Sequence, residues 1–451
     1  MIVDEALMRE LDASYEGIGG PDRILLALSG GADSVALFHL LLKLTGKRCF
    51  EFICVHVHHG LRPASEDEAA FLMALCQSAG VPLIIRRVQV QRTGSLEAAA
   101  RTARYHAFRA VMEESGIHVL ALAHHADDQA ETVLMHLMYG TGSGGLAGMR
   151  TYSRGIWRPL LGTPKEALIA LLEENHLSWR EDESNQDQTY LRNAIRHRVL
   201  PVLKSLAPAA GMNIVRTSRI LRDEEDFWQS YIADWLENNA CTQEPLLFLL
   251  TQPCLRLPCA AKRRVIREFC IGAGVELDFQ QTQRLCELLD KPPGSMENLP
   301  LKAQALITRE RLYLLREPVN RLPLGKLTCD QDWSKSSKLQ EVLDADQLQG
   351  AELRYRRAGD WLMPLGVKGS QKLRKYMIDR QIDRPLRDSW PLLCRGSEVL
   401  WVIGVGLAQT AAVGDRTNKR VALRYEGRLP GELIQHLQGG VDNGRQAEPL
   451  P

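Results

Sequence analysis

The chain has 451 residues, of which 45% are hydrophobic and 25% are charged, and its formal net charge at pH 7 is +1. Domains usually hold roughly 100 to 200 residues, so this length predicts about two to four of them. The ordinary composition excludes a largely disordered chain. The balanced charge excludes a uniformly basic surface, but it allows a local basic face for nucleic acid.

The ten cysteines are scattered and never form a Cys-x-x-Cys pair. This spacing favours a reducing compartment over a disulfide framework or a zinc ribbon. The N-terminal residues mix both charges, and the longest apolar runs are short and interrupted by polar residues. We therefore expect no export signal and no membrane span, and a cytoplasmic location.

The first third of the chain alternates strand-like and helix-like segments, which is typical of an α/β fold with a doubly wound parallel sheet. Ser95 is a candidate N-cap and Gly116 a candidate stop for the third helix. The glycine-dense segment 140–145 predicts a mobile loop, followed by an irregular stretch up to Pro201. The predicted strands are 23–28, 52–57, 82–88 and 119–123, and the predicted helices are 35–44, 65–79, 95–115 and one from about Asp127.

Changes in pattern divide the chain into four predicted regions. Apolar residues at helical spacing from Trp228 to Trp235 indicate a mainly helical second region, in which 305–308 and 312–315 predict short strands. A connector is predicted at about 317–337. The regions are an α/β domain over 1–210, a mainly helical domain over 211–325, a small α+β C-terminal domain over 340–430 and a disordered tail over 431–451.

A glycine-containing loop lies between the first strand and its helix. Its glycines let several N–H groups turn toward one anion, the helix dipole favours negative charge there, and the serines can add hydroxyl donors. An ordinary capped turn is the plain alternative. The residues of this loop are Ser29, Gly30, Gly31, Ala32, Asp33 and Ser34.

This loop lacks the lysine of the Gly-x4-Gly-Lys-[Ser/Thr] motif, and Asp33 would repel phosphate unless a Mg²⁺ ion lay between them. These features indicate cleavage between the α- and β-phosphates of a nucleotide, with the pyrophosphate held by the loop. The segment from Leu28 to Ser34 resembles the signature of the PP-loop ATP pyrophosphatase superfamily. That resemblance implies that ATP adenylates an oxygen and that a nucleophile then displaces AMP.

Three further segments resemble the lysidine synthetase family within that superfamily. The stretch 56–62 begins with His56 at the end of the second strand, where open α/β sheets bind ligands. Helix residues 97–105 place Arg101, Arg104 and Tyr105 on one face. The decamer 123–132 contains His124, His125, Asp127 and Asp128, of which the family pattern favours His124 and Asp128. Solvated or helix-capping side chains are the alternative interpretation of each segment.

The segment 180–196 resembles the most family-specific element, with arginines at 192 and 196 on one helical face. A charged surface helix is the alternative. Segments between Arg354 and Pro391 resemble the C-terminal domain of the long-form enzymes, and their basic excess is suited to RNA phosphates. The positions that match the family element at 180–196 are Asp182, Ser184, Asn185, Asp187, Tyr190, Arg192, Asn193, Ile195 and Arg196.

The resemblance implies a ligase that uses ATP with Mg²⁺ to adenylate the wobble cytidine of tRNA(Ile) with a CAU anticodon, and then joins free L-lysine to it. The middle and C-terminal regions would bind the tRNA. A homodimer is left open, and so are a tRNA thiolation enzyme and a non-catalytic RNA-binding protein. By the resemblance, the catalytic positions are Asp33, His124, Asp128, Arg192 and Arg196, the nucleotide-binding positions are Ser29 to Ser34, His56 and Arg101, and the metal positions are Asp33 and Asp128.

Overall fold

The structure is a computed structural model. Its two compact units meet in sequence at Phe227 and Trp228. The predictions that fall wholly or partly outside the described residues are the Ser95 cap, positions 59–62 of the family stretch, the family positions within 181–190, both ends of the connector and the tail after 430. None of the helices in the described part of the chain combines the length and apolar character that crossing a bilayer requires. The structure describes residues 5–58, 64–88, 96–180, 191–242, 246–316, 323–330, 339–367, 369–415 and 417–430.

The first unit is built on a six-stranded sheet. Its strands are β1 (Arg23–Ala27), β2 (Glu51–His58), β3 (Leu83–Arg87), β4 (Leu120–Ala121), β5 (Tyr152–Ser153) and β6 (Ile156–Trp157). Their order is β3-β2-β1-β4-β6-β5, and all neighbours are parallel except β5, which forms a hairpin with β6. The doubly wound parallel sheet predicted from the sequence is therefore confirmed.

Helices connect and flank these strands. The third predicted helix ends where expected, because Gly116 adopts a φ of +64° that suits glycine. The helices are α1 (Glu5–Gly17), α2 (Ala32–Thr45), α3 (Ala64–Ala79), α4 (Leu96–Ser115), α5 (Ala126–Tyr139), α6 (Ser143–Leu146), α7 (Lys165–Glu174), α8 (Leu191–Ala194), α9 (Leu200–Leu206) and α10 (Ala210–Asn239), with a π-helical turn at Ile195–Val199.

Two sequence predictions for the segment after α5 are wrong. The glycine-dense segment is not loop throughout, because α6 begins within it at Ser143. The stretch up to Pro201 is not irregular, because it contains the β5–β6 hairpin and α7. Helix α7 packs on α2, and its Leu168 and Leu172 are fully buried in the main core. Burial of this apolar face stabilises the helix, although the glycine and proline residues around it made the segment look irregular in the sequence.

The sheet of the first unit is buried on both faces. Ile24 and Leu26 of β1 face the core formed with α1, α2 and α7, whereas Leu25 faces a second core formed with α4. Successive side chains of a strand point to opposite faces, so a strand buried on both sides appears as one apolar run. Polar side chains of such a sheet collect at the strand ends, which places the candidate site at the carboxyl edge.

The second unit begins with α10 residues and a five-stranded antiparallel sheet of order β7-β8-β11-β10-β9. The middle region is thus helical, as predicted, but its helices pack on a sheet of which the sequence indicated only two strands. These elements are β7 (Ala240–Cys241), β8 (Phe248–Leu250), α11 (Thr251–Leu255), α12 (Cys259–Gly272), α13 (Phe279–Leu288), β9 (Met296–Asn298), β10 (Gln304–Ile307) and β11 (Arg311–Leu315).

The C-terminal part of the chain forms two further antiparallel sheets, β12-β20-β13 and one built around β14-β17-β18-β15-β16, with β19 beside β18. Its elements are β12 (Lys326–Asp330), β13 (Gln340–Asp344), β14 (Ala351–Arg354), β15 (Trp361–Leu362), β16 (Gln371–Lys372), α14 (Leu373–Asp379), α15 (Arg384–Arg387), β17 (Leu392–Arg395), β18 (Glu398–Val402), β19 (Gly406–Leu407) and β20 (Arg420–Glu426).

The predicted connector at about 317–337 is wrong for its central residues. Lys326–Asp330 form strand β12 and pair with Glu426 to Ala422 of β20. Residues 317–322 and 331–337 of the same prediction lie outside the described part. Lysine and proline flanking this short strand gave it the appearance of a linker, whereas its partner strand lies almost a hundred residues later in the chain.

The middle sheet is covered by different partners on its two faces. Leu249, Ile307 and Leu312 point toward the core formed with α12 and α13. Leu306 and Tyr313, which alternate with them, point into a core shared with Leu373 and other C-terminal residues. The C-terminal elements therefore close the second face of this sheet, and the middle and C-terminal regions share one hydrophobic core within the second unit.

Candidate active site

The loop after β1 holds its shape through Ser34. The Ser34 Oγ accepts hydrogen bonds from the N–H groups of Ser29 (3.2 Å) and Gly30 (3.1 Å) and donates to the Gly31 carbonyl (3.0 Å). Gly30 has a φ of +91°, a conformation that favours glycine. Ser34 therefore shapes the loop here, rather than offering its proton to a ligand as the sequence suggested.

This loop leaves the start of α2 open to a ligand. Gly31 occupies the N-cap position without a side-chain cap, so the N–H groups of Ala32, Asp33 and Ser34 have no partner within the helix. Unpaired N–H groups and the positive end of the helix dipole together form an anion site. The Gly30 carbonyl accepts the N–H of Arg180 (2.9 Å), which anchors the loop beside the segment that follows α7.

His56 is a buried side chain near the carboxyl end of β2. Its Nδ1 lies 3.0 Å from the Leu28 carbonyl, and its Nε2 is buried without a hydrogen-bond partner in the described residues. Burial lowers the pKa of His56, so the ring is neutral at pH 7. Arg101 on α4 stacks over the Tyr105 ring at 5.1 Å and is solvent-exposed. Both predicted nucleotide-binding side chains thus lie on elements that border the carboxyl edge.

The two histidines after β4 have opposite environments. Burial lowers the pKa of His124 to about 4, and Arg158 and Arg192 add to this effect although Asp128 opposes it. The Nδ1 of His124 is buried and has no hydrogen-bond partner in the described part of the chain. His124 is therefore neutral at pH 7 and can accept a proton or a hydrogen bond.

His125 is surrounded by carboxylates instead. Its Nε2 lies 3.5 Å from Asp33 Oδ2 and 3.4 Å from Asp128 Oδ2, and its Nδ1 lies 3.8 Å from Asp127 Oδ2. Burial opposes protonation, but these three carboxylates together raise the pKa of His125. The sequence analysis favoured His124 of this pair. The structure places His125, not His124, between the two predicted metal ligands.

Asp128 and Glu131 hold the arginine pair that follows the undescribed segment. Asp128 Oδ1 accepts from Arg192 (3.1 Å) and Arg196 (3.2 Å). Glu131, with a fully buried side chain, accepts from the Nε of Arg192 (2.7 Å) and of Arg196 (2.5 Å). Although burial opposes its ionisation, His125 and Arg192 hold the pKa of Asp128 below its usual range. The predicted placement of both arginines on one helical face is confirmed by these shared partners.

Asp127 serves a different purpose from Asp128. Its Oδ1 accepts from the Lys204 ammonium (2.9 Å) and its Oδ2 from the Lys165 N–H (3.2 Å). Glu166 also contacts Lys204, at 3.2 Å. Asp127 therefore links α5 to α7 and α9 through these contacts. This agrees with the family pattern, which favours Asp128 as the reactive member of the pair.

The two predicted metal ligands suit a Mg²⁺ ion that arrives with its phosphates. Asp33 and Asp128 both approach one nitrogen of His125, and Asp33 Oδ1 is buried without a hydrogen-bond partner in the described residues. No cluster of three metal-binding side chains occurs in the described ranges. Mg²⁺ commonly takes only one or two carboxylates and completes its shell with phosphate oxygens and water, so two carboxylates are sufficient.

Sequence reasoning placed most of this site and missed three contributors. Glu131 lay within a recognised motif, yet nothing local indicated that it binds Arg192 and Arg196. Lys204 was not singled out, although it neutralises Asp127. Arg158, directly after β6, was hidden in a stretch predicted to be irregular. Its position after a strand in an α/β sheet was the signal that could have found it.

A parallel sheet with an uncapped glycine loop after its first strand and acidic residues after its fourth defines the class of PP-loop nucleotide-binding proteins. Residues 3–203 match the family described as PP-loop domain, and residues 351–423 match the family described as TilS substrate C-terminal domain. The glycine loop, His56, Arg101 and the arginine pair all fall within the first match. The class assignment therefore covers the whole candidate site.

Relatives along the full length identify the family. The chain is 31% identical over 458 residues to the tRNA(Ile)-lysidine synthase of Geobacter sulfurreducens, covering 93% of this chain and 97% of that protein. It is also 31% identical over 460 residues to the tRNA(Ile)-lysidine synthase of Dehalococcoides mccartyi, covering 92% and 97%. The chain belongs to the tRNA(Ile)-lysidine synthase family, and it is accordingly an ATP-using ligase that forms a C–N bond.

Among solved structures, the U34-tRNA thiolase NcsA from Methanococcus maripaludis matches 48% of this chain and 79% of its own, with 20% identity and a TM-score of 0.42. A TilS C-terminal domain matches 30% of this chain and 93% of its own, with 21% identity and a TM-score of 0.20.

Proposed function

We propose that the protein joins free L-lysine to C2 of the wobble cytidine in the CAU anticodon of tRNA(Ile), consuming ATP and releasing AMP and pyrophosphate. The observation that carries the proposal is the convergence at one sheet edge of the open α2 N-terminus, the carboxylates of Asp33 and Asp128, and the Arg192–Arg196 pair. These groups supply what adenylation requires: an anion site, a metal site and cations for the developing negative charge.

The first step transfers AMP to the base. The cytosine C2 oxygen attacks the α-phosphorus of ATP while the bond to the pyrophosphate breaks. The first-turn N–H groups of α2 would hold the departing pyrophosphate, and Arg192 and Arg196 would face the charge that develops on the transferred group. A Mg²⁺ ion held by Asp33 and Asp128 would supply neutralisation of the phosphate charge, which the two carboxylates alone would repel.

The second step replaces AMP by lysine. The unprotonated ε-amine attacks C2, the C2–O bond breaks, and AMP departs with the oxygen that had belonged to the base. The amine must lose a proton, and a neutral His124, whose Nδ1 has no hydrogen-bond partner among the described residues, is suited to accept a hydrogen bond from the attacking amine or from the base. The cytidine must leave its stack to reach these groups.

The second unit offers a surface for the rest of the tRNA. Lys372, Arg374 and Lys375, at and within the start of α14, are all exposed. Positive charge gathered on one short helix suits phosphate oxygens and provides affinity without reading bases. We assign tRNA positioning to this unit and the chemistry to the first.

The test is product formation with each substrate omitted in turn. Purified protein is incubated with ATP, L-lysine, Mg²⁺ and tRNA(Ile) bearing a CAU anticodon, and the nucleosides are analysed by mass spectrometry after digestion. We expect the wobble cytidine to gain the mass of lysine less water only when all components are present. Mass addition that persists without lysine, or unmodified cytidine in the complete reaction, would refute the proposal.

The thiolation alternative is disfavoured by where the cysteines lie. Cys54 lies in β2 and Cys76 in α3. Both are buried in the main hydrophobic core of the first unit, away from the carboxyl edge. Sulfur transfer needs thiols that reach the substrate or a cluster. The omission assay distinguishes this alternative, and a non-catalytic RNA-binding role, from the proposed reaction.

A further inference from the structure

Arg158 is a cationic side chain that the proposed chemistry has not used. It follows β6, which lies beside β4 in the parallel sheet, so it emerges at the same carboxyl edge as His124. Its strand neighbour Ile156 packs into the core formed with α4. Because side chains alternate along a strand, Arg158 also points to the α4 side.

The guanidinium of Arg158 has no carboxylate partner in the part of the chain that the structure describes. Its Nη1 donates to the Arg150 carbonyl (3.1 Å), the Tyr105 hydroxyl lies near enough to favour its charge, and its Nε is buried without a hydrogen-bond partner among the described residues. Within the described residues no Asp or Glu forms an ion pair with it. Buried guanidinium groups are normally paired, because leaving a charge partly desolvated is costly.

A second guanidinium lies nearby. Arg101 donates to the same Tyr105 hydroxyl at 3.5 Å, and its charge disfavours the charge of Arg158. Both arginines also act on His124, whose pKa they lower after the larger effect of burial. Two like charges around one neutral hydroxyl are stabilised when an anion sits between them.

The anion site of the glycine loop is separate from this position. The anion site of the glycine loop follows β1, and β6 is two strands further along the sheet, which is roughly 10 Å at ordinary strand spacing. The partly buried Arg158 is more accessible to a free small molecule than to a polynucleotide phosphate, which is tethered at the surface. A planar carboxylate accepts the two parallel bonds that a guanidinium offers.

We propose that Arg158, with Arg101 and Tyr105, binds the α-carboxylate of the free amino-acid substrate, so that Arg101 would face the amino acid rather than the nucleotide predicted from the sequence. This assignment rests on the proposed function and deepens it. The carboxylate anchors the amino acid on the α4 side of the edge, and its flexible side chain can then extend toward His124 and the activated base. The nearby cations also disfavour protonation of an amine, which helps to keep the attacking nitrogen neutral.

The test compares L-lysine with L-lysinamide, in which a neutral carboxamide replaces the carboxylate. The wild-type protein should prefer lysine by about ten- to a hundredfold in kcat/KM, the range for a charge-assisted bidentate contact. Arg158→Gln should raise the KM for lysine by a similar factor and reduce the preference to within about threefold. Arg158→Lys keeps the positive charge but cannot form two parallel hydrogen bonds. Its preference for lysine over lysinamide should lie between those of the wild-type and Arg158→Gln proteins.

Two controls separate this contact from a structural effect. Arg154→Gln alters an exposed arginine in the β5–β6 turn and should leave both substrates unaffected. Pyrophosphate release without lysine reports the first step alone, and it should change by less than about threefold in the Arg158 variants. A general loss of structure would reduce rates with both amino acids equally and would not alter their ratio.

Three outcomes would overturn the assignment. An undiminished preference for lysine over lysinamide in the Arg158→Gln and Arg158→Lys proteins would exclude a carboxylate contact. A large loss of lysine-independent pyrophosphate release would place Arg158 on the nucleotide, and a raised KM for tRNA alone would place it on an RNA phosphate. Failure of the proposed function would appear differently, as no lysine-dependent product with the wild-type protein.

Discussion

The parallel sheet of the first unit and the middle sheet of the second are both buried on two faces, yet they carry different properties. The first collects its polar side chains at the carboxyl edge, where Asp33, His125 and Asp128 meet. The second has one face on helices and the other on C-terminal elements, and its notable polar contact is internal: Asp383 accepts from Arg311 and Tyr313, each at 2.9 Å.

This difference supports the proposed division between chemistry in the first unit and tRNA binding in the second. A parallel sheet orients all its carboxyl ends alike and so concentrates ligands there, whereas an antiparallel sheet has no such edge. Polar groups within the middle sheet instead fix the C-terminal elements in place. Changes at the first edge should therefore affect catalysis more than tRNA binding, and changes in the shared core of the second unit should affect stability and tRNA binding.

The largest effect is expected from Asp128→Asn. This carboxylate meets His125, Arg192 and Arg196, and it is a proposed Mg²⁺ ligand, so its loss should reduce pyrophosphate release by about a thousandfold or more. Binding of tRNA, measured by filter retention, should stay within a few-fold of wild type. Near-normal pyrophosphate release would remove Asp128 from the metal site.

The second unit should respond in the opposite way. Leu306 is fully buried in the core shared with the C-terminal elements, so Leu306→Ala should lower the free energy of unfolding by about 2 to 5 kcal/mol. Ile271→Ala, at an exposed position on α12, should cost less than about 0.5 kcal/mol. Urea unfolding measures both. Equal effects would show that the shared core does not exist in solution.

Glu131→Gln sharpens the comparison at the first edge. The substitution keeps the side-chain shape but weakens the contacts to Arg192 and Arg196, and we expect kcat to fall by about a hundredfold. Glu166→Gln is the matched control, because Glu166 is 71% exposed and contacts only the surface end of Lys204. A Glu131→Gln protein with wild-type kcat would make the arginine pair structural rather than catalytic.

The pH dependence of stability should carry a signature of His124. Its folded pKa of about 4 lies below the ordinary 6.5, so the unfolded state binds more protons between those values and stability falls as the pH falls through that window. His124→Gln should remove about 3 kcal/mol of the loss between about pH 7 and about pH 4. His118→Gln, which alters an exposed ring, is the control and should leave the loss of stability unchanged. An unchanged slope in the first variant would contradict this assignment.

The smallest effect is expected on the exposed basic helix. Replacing Lys372, Arg374 and Lys375 together by Ala should weaken tRNA binding by about tenfold and flatten its salt dependence, because fewer counterions are released. Pyrophosphate release at saturating tRNA should be retained. An unchanged salt slope would identify these residues as an ordinary solvated face.

Local patterns allowed the parallel sheet and much of its edge to be predicted. Strand, glycine loop and helix are adjacent in sequence, so the open α2 N-terminus followed directly. Glu131 and Arg192 are 61 residues apart, and no local periodicity reports such a pairing. The middle sheet was underestimated because an apolar run indicates burial without indicating which element covers each face, as the alternation of Leu306 and Ile307 illustrates.

The central claim is that the base itself is activated at the edge formed by Asp33, His124 and Asp128. It is tested most directly by following the C2 oxygen of the wobble cytidine, labelled with a heavy isotope, through one turnover with ATP and lysine. Adenylation at that oxygen and displacement at C2 require the label to appear in AMP. Label that stays in the tRNA, with unlabelled AMP released alongside the modified base, would contradict the account.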